Sequence, residues 1–508
     1  MSTSLEAGPC ESPASTRPPA EASAASGLPL NWGTMQSVAE SLDRLGALAK
    51  TPAVDRLAQA FAAASFELSL VGGPVRDALL GREVHDLDFT TDARPDDILA
   101  VVGPLADAVW DIGRAFGTIG ARFGDDTVEI TTYRSDSYDG ETRKPEVRFG
   151  DTLEGDLLRR DFTINALALR VPEVRLVDPS GGVEDLLARR ITTPSSPEVS
   201  FGDDPLRMMR AARFAAQLGF PVDAATRDAM ADMAERIGIV SAERVRDELT
   251  KLLQADDPRP GVELLVDSGL ADHVLPEVPA LRLEVDEHHH HKDVYQHSLT
   301  VLDQAIGYEK ERHPGSPPDV ILRLAALLHD IGKPATRRFE PGGVVSFYHH
   351  DVVGAKLAKK RLTALRFDKA TVDSVARLIE LHLRFFGYSD AQWTDSAVRR
   401  YVRDAGGELE RLHMLTRADV TTRNRRKADR LGFAYDDLEQ RIAELQAQEE
   451  LAAVRPDLDG EQVMRLLGLK PGREVGQALA FLLELRLDEG PLGEEEATRR
   501  LLAWWAAQ

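Results

Sequence analysis

The 508-residue chain has one cysteine, Cys10. A single thiol excludes an internal disulfide framework and fits a reducing compartment. No run of 18 apolar residues occurs, so no transmembrane helix is expected. The N-terminus lacks a basic stretch leading into an apolar core, so no secretory signal is expected and the chain reads as cytoplasmic. Positive charge is scarce: 62 Lys and Arg against 84 Asp and Glu leave a formal net charge of −22. That argues against a general electrostatic binder of nucleic acid, although not against a local basic groove. The apolar content of 43% and charged content of 29% are those of an ordinary soluble protein. The length suits about three domains.

Residues 1 to about 32 are rich in Ala, Ser, Pro and Glu without periodicity, and are expected to be disordered. Glu6, Glu11 and Glu21 against a single Arg17 fit a transit peptide poorly. Val38, Leu42, Leu45 and Leu48 recur at helical spacing. Between 66 and 194 strand and helix signals alternate, with strands expected at 66–71, 86–91, 118–124 and 127–133. Gly124-Asp125-Asp126 turns the last two into a hairpin. The polar segment from Ser135 to Gly150 reads as a mobile loop. From about 195 the chain reads as helical.

The chemistry concentrates at 70–91. An apolar run ends in Gly72-Gly73, Pro74 suits the first turn of a short helix, and Gly81 suits its stop. The glycines would let backbone N–H groups approach a phosphate at the helix start, with Arg76 beside them as a clamp. Asp86 and Asp88 then flank Leu87 on an extended run. Residues two apart on a strand face the same way, roughly 6.5 Å apart. Two carboxylates that close repel unless a cation lies between them, and carboxylates with phosphate oxygens suit Mg²⁺. Glu129, opposite in direction to Val128 and Ile130, is either a third metal carboxylate or a solvent-facing residue.

Arg159, Arg160 and Asp161 lie beside an apolar run read as helical, either as a used cluster or as surface ion pairs. Asp204 caps a helix that Pro205 begins. Arg207, Arg210 and Arg213 recur every third residue on that helix, as a solvated face or a phosphate and base clamp. Eleven of the 13 histidines lie between His288 and His413. His329-Asp330 ends an apolar helix and can chelate a metal, with His297 upstream and His349, His350, Asp351, His382 and Asp419 downstream. Arg423, Arg425, Arg426, Lys427 and Arg430 form a basic patch, either an RNA-backbone contact or a solvated helix face.

The Gly-Gly…Arg-Asp…Asp-x-Asp stretch resembles the signature of class II CCA-adding enzymes and bacterial poly(A) polymerases. Asp156 to Ala168 resembles their second motif, and Asp203-Asp204-Pro205-Leu206-Arg207 their Glu-Asp-x-x-Arg motif, with Asp replacing Glu at 203. The histidine spacing resembles HD-domain metal-dependent phosphohydrolases. The resemblance implies an α+β fold: a nucleotidyltransferase head with a mixed β-sheet and flanking helices at 33–194, an all-α neck at 195–284, an HD domain at 285–425 and a helical tail at 426–508. It implies catalytic Asp86, Asp88 and Glu129, with Mg²⁺ at the aspartate pair. Gly73, Arg76 and Arg160 would grip the triphosphate. Asp161 and Asn165 would contribute ribose and active-site hydrogen bonds, and Asp204 and Arg207 would read the base. Arg210 and Arg213 match the next motif's arginines. A second divalent metal would lie at His297, His329, Asp330 and Asp419. The implied activity is template-independent addition of CCA to tRNA from CTP and ATP, with tRNA as partner and neither a membrane nor an obligate protein partner. A poly(A) polymerase, an enzyme adding only CC or only A, and a protein working chiefly as an HD phosphohydrolase are the alternatives. A non-catalytic RNA-binding protein is a further one, against which the intact motifs count.

Overall fold

The structure is a computed structural model that describes residues 32–84, 86–134, 149–150, 152–283, 293–341, 345–390, 393–421, 424–448 and 455–508. The N-terminal segment to residue 31, nearly all of the loop expected at 135–150, the run His288 to His291, and Arg423 lie outside them.

The head opens with α1 (Trp32–Ala49) and α2 (Pro52–Ala63). It continues through β1 (Leu68–Val71), α3 (Gly73–Leu80), β2 (Leu87–Thr91), α4 (Pro95–Val102), β3 (Ala108–Trp110), β4 (Thr118–Phe123) and β5 (Asp126–Thr132). It closes with α5 (Leu153–Leu158), β6 (Ala168–Val171), β7 (Arg175–Val177) and α6 (Gly182–Ala188). The seven strands form one mixed sheet in the order β3-β4-β5-β2-β1-β6-β7. Strands β2 and β5 run parallel and every other neighbouring pair is antiparallel. Alternation along the strands splits the sheet into two faces. Phe89, Ile119, Val128 and Ile130 enter the main core, whereas Asp88 and Glu129 face the other way.

Strands β3, β6 and β7 correct the sequence reading, which expected four strands. Each is three or four residues long. The apolar run after Asp161 is not a helix: a single turn at Thr163–Asn165 leads into β6. A short, fully buried run has no periodicity that separates strand from helix. Leu42, expected on the buried face of α1, is 53% exposed, while Leu45 and Leu48 are buried.

The neck contains α7 (Pro197–Asp203), α8 (Leu206–Leu218), α9 (Ala224–Asp232), α10 (Ala242–Leu253), α11 (Arg259–Asp267) and α12 (Leu270–Val274). Next come α13 (Val294–Arg312), α14 (Val320–Leu328), α15 (Lys333–Thr336), the hairpin β8 (Arg338–Phe339) and β9 (Val345–Ser346), and α16 (His350–Ala364). They are followed by α17 (Lys369–Leu381), α18 (Phe386–Asp390), α19 (Asp395–Ala405) and α20 (Leu409–Ala418). The chain ends with α21 (Arg425–Gln448), α22 (Gly460–Leu467), α23 (Arg473–Glu489) and α24 (Glu494–Ala506).

One apolar core runs from α1 to α21, and α22 to α24 pack around a separate small core. Helix α14 is apolar nearly all round and sits inside the main core. Leu322, Leu324, Leu327 and Leu328 are fully buried, each contributing about 2 kcal/mol by burial. Its one charge, Arg323, is 1% exposed and pairs with Glu309. It also donates to the Leu253 and Ala255 carbonyls of the neck. This ties the first half of α14, whose far end leads into His329 and Asp330, to the neck.

Candidate functional sites: a carboxylate cleft and a buried histidine cluster

Strand β1 is entirely buried and ends at Gly72, whose φ of 72° falls in the left-handed region that favours glycine. The Arg160 guanidinium lies over this turn, 3.3 Å from where a Cβ at 72 would stand. Helix α3 begins at once, with Pro74 in its first turn and Gly81 closing it at φ 69°. Its first N–H groups have no intrahelical acceptors, the usual situation at a helix start.

Asp86 immediately precedes β2, and Asp88 pairs in register with Glu129 of the parallel β5. Asp88 and Glu129 therefore stand side by side on the sheet face away from the core, with Asp86 two residues before Asp88. Burial, together with the charges of Glu129 and Asp86, raises the Asp88 pKa to about 6, against the opposing pull of Arg160. A site that raises one carboxylate's pKa through its acidic neighbours is relieved by a cation, so these donors fit a hard divalent metal. Glu129 is exposed, as its solvent-facing alternative required, yet it stands in the same row as Asp88.

Around this row lies a chain of buried charge. Asp156 is fully buried and accepts from Arg159, Arg160, the Arg134 N–H and Thr90. Burial pushes its pKa up, but Arg160 and Arg159 outweigh that and hold it below the usual range. Asp161, 8% exposed, accepts from Arg210 at 2.8 Å and from the Asn165 amide at 3.1 Å. Asn165 accepts in turn from Arg76 at 2.6 Å. Burial works against the Asp161 charge, yet Arg210 and Asn165 keep it far below the ordinary carboxylate range. A surface ion-pair cluster is thus ruled out for Asp161, and Asp156 serves as the anchor of both arginines.

The expected nucleotide residues fall into two groups. Gly73 and Arg160 border the cleft. Arg76 is turned inward: it forks around Asp77 at 2.9 and 2.8 Å and donates to Asn165. An adjacent carboxylate satisfies its fork more readily than a phosphate further off. Just before α8, Asp204 accepts from the Leu206 N–H, so the helix starts one residue later than the cap position implied. Asp204 also pairs with Arg244 of α10 at 2.7 Å. Arg207 donates to Ser200 and to the Arg159 carbonyl. Arg210 joins α8 to Asp161. Arg213 is buried against Glu248 at 2.6 Å and donates to Gln217. These arginines do not form a solvated row.

Asp156, Arg244 and Glu248 escaped the sequence reading. Asp156 stands three and four residues before Arg159 and Arg160, a spacing that announces ion pairs. Glu248 falls beside Leu249 within the buried stripe of α10, and a charge on an apolar stripe signals a partner.

The second site is built from helix ends. His297 Nε2 stands 2.9 Å from Asp419 Oδ1 and 3.3 Å from His329 Nε2. His329 Nε2 is 3.2 Å from Asp330 Oδ2, and His350 Nε2 is 3.3 Å from Asp330 Oδ1. Two groups emerge: His297, His329 and Asp419, then Asp330, His350 and His382, with the ligand atoms of each lying within 4.8 Å of one another. Asp330 reaches toward both. The Nδ1 atoms of His329, His350 and His382 face the carbonyls of Ala326, Phe347 and Ile379. That arrangement leaves each Nε2 as the inward donor, as in metal-ligating histidines.

His382 Nε2 is buried without a hydrogen-bond partner, which a metal would satisfy. Burial lowers the His329 pKa, but Asp330 and Asp419 override it and raise the value to about 10. Burial, then the His329 charge, lowers His382 to about 4. The expected His297, His329, Asp330 and Asp419 are all brought together. Of the further candidates, His350 and His382 join them, whereas His349 and Asp351 are in neither group. Lys333 stands 2.9 Å from Asp330. On α21, Arg425, Arg426, Lys427 and Arg430 are exposed.

Residues 68–192 match the poly A polymerase head domain, 219–281 the probable RNA and SrmB-binding site of polymerase A, and 294–424 the HD domain. The A-adding tRNA nucleotidyltransferase of Deinococcus radiodurans is 38% identical over 87% of this chain and 96% of its own length. The chain belongs to the CCA-adding enzyme and poly(A) polymerase family. A second member of that family, the CC-adding tRNA nucleotidyltransferase of Thermus thermophilus, is 34% identical over 86% of this chain and 93% of its own length. The CCA-adding enzyme of Lactobacillus helveticus is 40% identical over 42% of this chain and 52% of its own length.

Among solved structures, the Bacillus stearothermophilus CCA-adding enzyme with CTP aligns at a TM-score of 0.59 and 22% identity, covering 93% of this chain and 98% of that one. The Thermotoga maritima CCA-adding enzyme with tRNA aligns at 0.57 and 20%, covering 92% and 98%. Both likenesses concern the fold. No helix among the described residues is long and apolar enough to cross a membrane.

Proposed function

We propose that this protein adds nucleotides to the 3′ end of tRNA without a template, taking CTP and ATP and completing CCA. The observation that carries this reading is the row of Asp86, Asp88 and Glu129 beside the Gly72 turn and Arg160. Asp86 and Asp88 would hold Mg²⁺, with Glu129 in support. When bound, the metal lowers the pKa of the attacking 3′-hydroxyl and neutralises charge on the triphosphate and leaving pyrophosphate. Gly73 and the α3 start offer N–H groups to the triphosphate, and Arg160 offers its guanidinium. Asn165 and Asp161 hold α3 and α8 in one frame through Arg76 and Arg210.

Base choice rests on Asp204 and Arg207. A carboxylate accepts from the exocyclic amino group that C and A share, and an arginine donates to the adjacent ring acceptor; G and U offer no such pattern. Asp204 pairs with Arg244 and Arg207 donates to Ser200, so a base that is read by Asp204 and Arg207 competes with these partners. The exposed cations of α21 would contact the tRNA backbone.

The test gives the protein tRNA lacking its CCA end, Mg²⁺, and CTP and ATP separately and together, with products resolved at single-nucleotide length. Three additions requiring both nucleotides support the reading. A long ladder from ATP alone makes it a poly(A) polymerase. One or two additions mark a partial enzyme, the kind of activity for which the Deinococcus and Thermus relatives are named.

A second activity is favoured by the paired histidine and aspartate groups at the other site: metal-dependent phosphohydrolysis. His297, His329 and Asp419, with Asp330, His350 and His382 beside them, would hold the divalent metal, which would polarise a phosphoryl oxygen and activate a water. Release of phosphate, or opening of 2′,3′-cyclic phosphates, with Mn²⁺ or Ni²⁺ supports it if Asp330→Asn abolishes the release.

A further inference from the structure

The carboxylate row does not end at Glu129. Asp88 pairs with Glu129, Glu129 with Gly120 of β4, and Gly120 with Trp110 of the edge strand β3. Residues paired across strands point to the same face. Trp110 therefore stands on the carboxylate face, two strands from Glu129, about 10 Å by strand spacing. Its indole folds back over Gly120, and a Cβ at 120 would overlap the ring. Gly120 is buried although it lies on the same face as the exposed Glu129 and Arg122, because the indole covers it. Glycine is what lets the ring lie against the sheet and reach toward Glu129.

Trp110 takes no part in the main core, unlike its neighbour Val109, which packs against it. It is half-buried, and among the described residues no aromatic ring or cation stacks on it. A large aromatic kept out of the core and partly open beside a charged cleft is an unused contact surface. Arg122, two residues along β4 on the same face, is exposed and has no ion pair among the described residues.

The sheet order supplies the direction. The Gly72 turn and helix α3 leave from β1, on one side of the carboxylates, whereas β4 and β3 lie on the other. In an in-line displacement the attacking oxygen and the leaving pyrophosphate stand on opposite sides of the reacting phosphorus. With the triphosphate on the β1 side, the hydroxyl of the acceptor arrives from the β4–β3 side.

We propose that Trp110 is the stacking platform for the terminal base of the RNA acceptor, with Arg122 contacting the phosphate behind it; this rests on the nucleotide-addition reading above. Stacking on an aromatic ring is tolerant of sequence, since every base has a π-face. That suits an acceptor whose terminal base changes after each addition.

The test places 2-aminopurine as the 3′-terminal base of a trimmed tRNA and follows its fluorescence on binding, alongside steady-state addition kinetics. With the wild-type protein, stacking quenches the probe. Trp110→Ala removes the quench and raises KM for the tRNA by about ten- to a hundredfold, the loss expected for one base–aromatic stack, while KM for CTP stays unchanged. Trp110→Phe keeps most of both properties. Gly120→Ala, which displaces the indole without removing it, shifts both readouts in the same direction as Trp110→Ala. Thermal unfolding of each variant confirms that the head is folded.

The platform is overturned if Trp110→Ala retains the quench, or if its effect falls on KM for CTP and spares the tRNA. Wild-type protein that extends tRNA while Trp110→Ala behaves identically defeats the platform alone. Wild-type protein that adds no nucleotide defeats the proposed function, and the platform with it.

Discussion

The two regions that carry the candidate metal ligands are built on opposite plans. The head site uses carboxylates on adjoining strands, open on one side, and its donors are all oxygen. The second site uses four imidazoles and two carboxylates at helix ends, with His329, Asp330 and His382 almost wholly buried. In the head, no backbone hydrogen bond fixes the carboxylates among the described residues, and Asp88 carries a raised pKa. In the histidine cluster, three rings are held by backbone carbonyls. The first plan suits a weakly held, hard cation that arrives with the triphosphate. The second suits a resident ion of the transition series, bound in a preformed cage.

The largest expected effect breaks the head and spares the cluster. Asp88→Asn should lower nucleotide addition by about a thousandfold or more, since the metal contributes several kcal/mol to transition-state stabilisation. Metal content at the histidine site, measured on the purified protein by mass spectrometry, should be unchanged. Parallel loss of both would show that the sites are one system.

The converse variant is His350→Ala combined with His382→Ala. It should remove at least one equivalent of bound transition metal and abolish phosphate release, while tRNA extension stays within about twofold, as expected for sites that share no residue. A collapse of extension in this variant would mean that the cluster holds the catalytic frame together.

His413 supplies a control, because it is a buried histidine of the same region that belongs to neither metal group. Burial lowers its pKa from 6.5 to about 4 despite Glu439 nearby. Below pH 6.5 the unfolded chain takes up a proton that the folded chain refuses until about pH 4. Stability is therefore lost as pH falls through that window, by about 2 kcal/mol at pH 5. His413→Gln should flatten the fall between pH 7 and 5 in chemical denaturation, with no change in bound metal. An unchanged slope would remove His413 from the account.

The sequence displayed the motifs more plainly than their partners. Asp86, Asp88, Gly72 and Gly81 were legible because spacing and backbone demands act over a few residues. Helix α8 was legible from Pro205 and the spacing of Arg207, Arg210 and Arg213, and α14 from an apolar run broken only by Arg323. Strands β3, β6 and β7 were not, since runs of three or four buried residues carry no period. The inward turn of Arg76 and the pinning of Arg207 depend on Asn165, Ser200 and the Arg159 carbonyl. Asn165 and Arg159 are 89 and 48 residues from the side chains they hold, and Ser200, seven residues before Arg207, lies on another helix. The choice of His350 over its neighbour His349 depends on helix α16 starting at that residue, with His349 left in the left-handed conformation at φ 65°.

The most direct test of the two-plan account is a crystal structure with Mn²⁺, collected for anomalous scattering, with and without a non-reactive CTP analogue. The account predicts strong peaks at the His297–Asp330–His382 cluster in both crystals. At Asp86 and Asp88 it predicts strong peaks only when the nucleotide is present. Full occupancy at the aspartates without nucleotide, or an empty histidine cluster in both crystals, would contradict it.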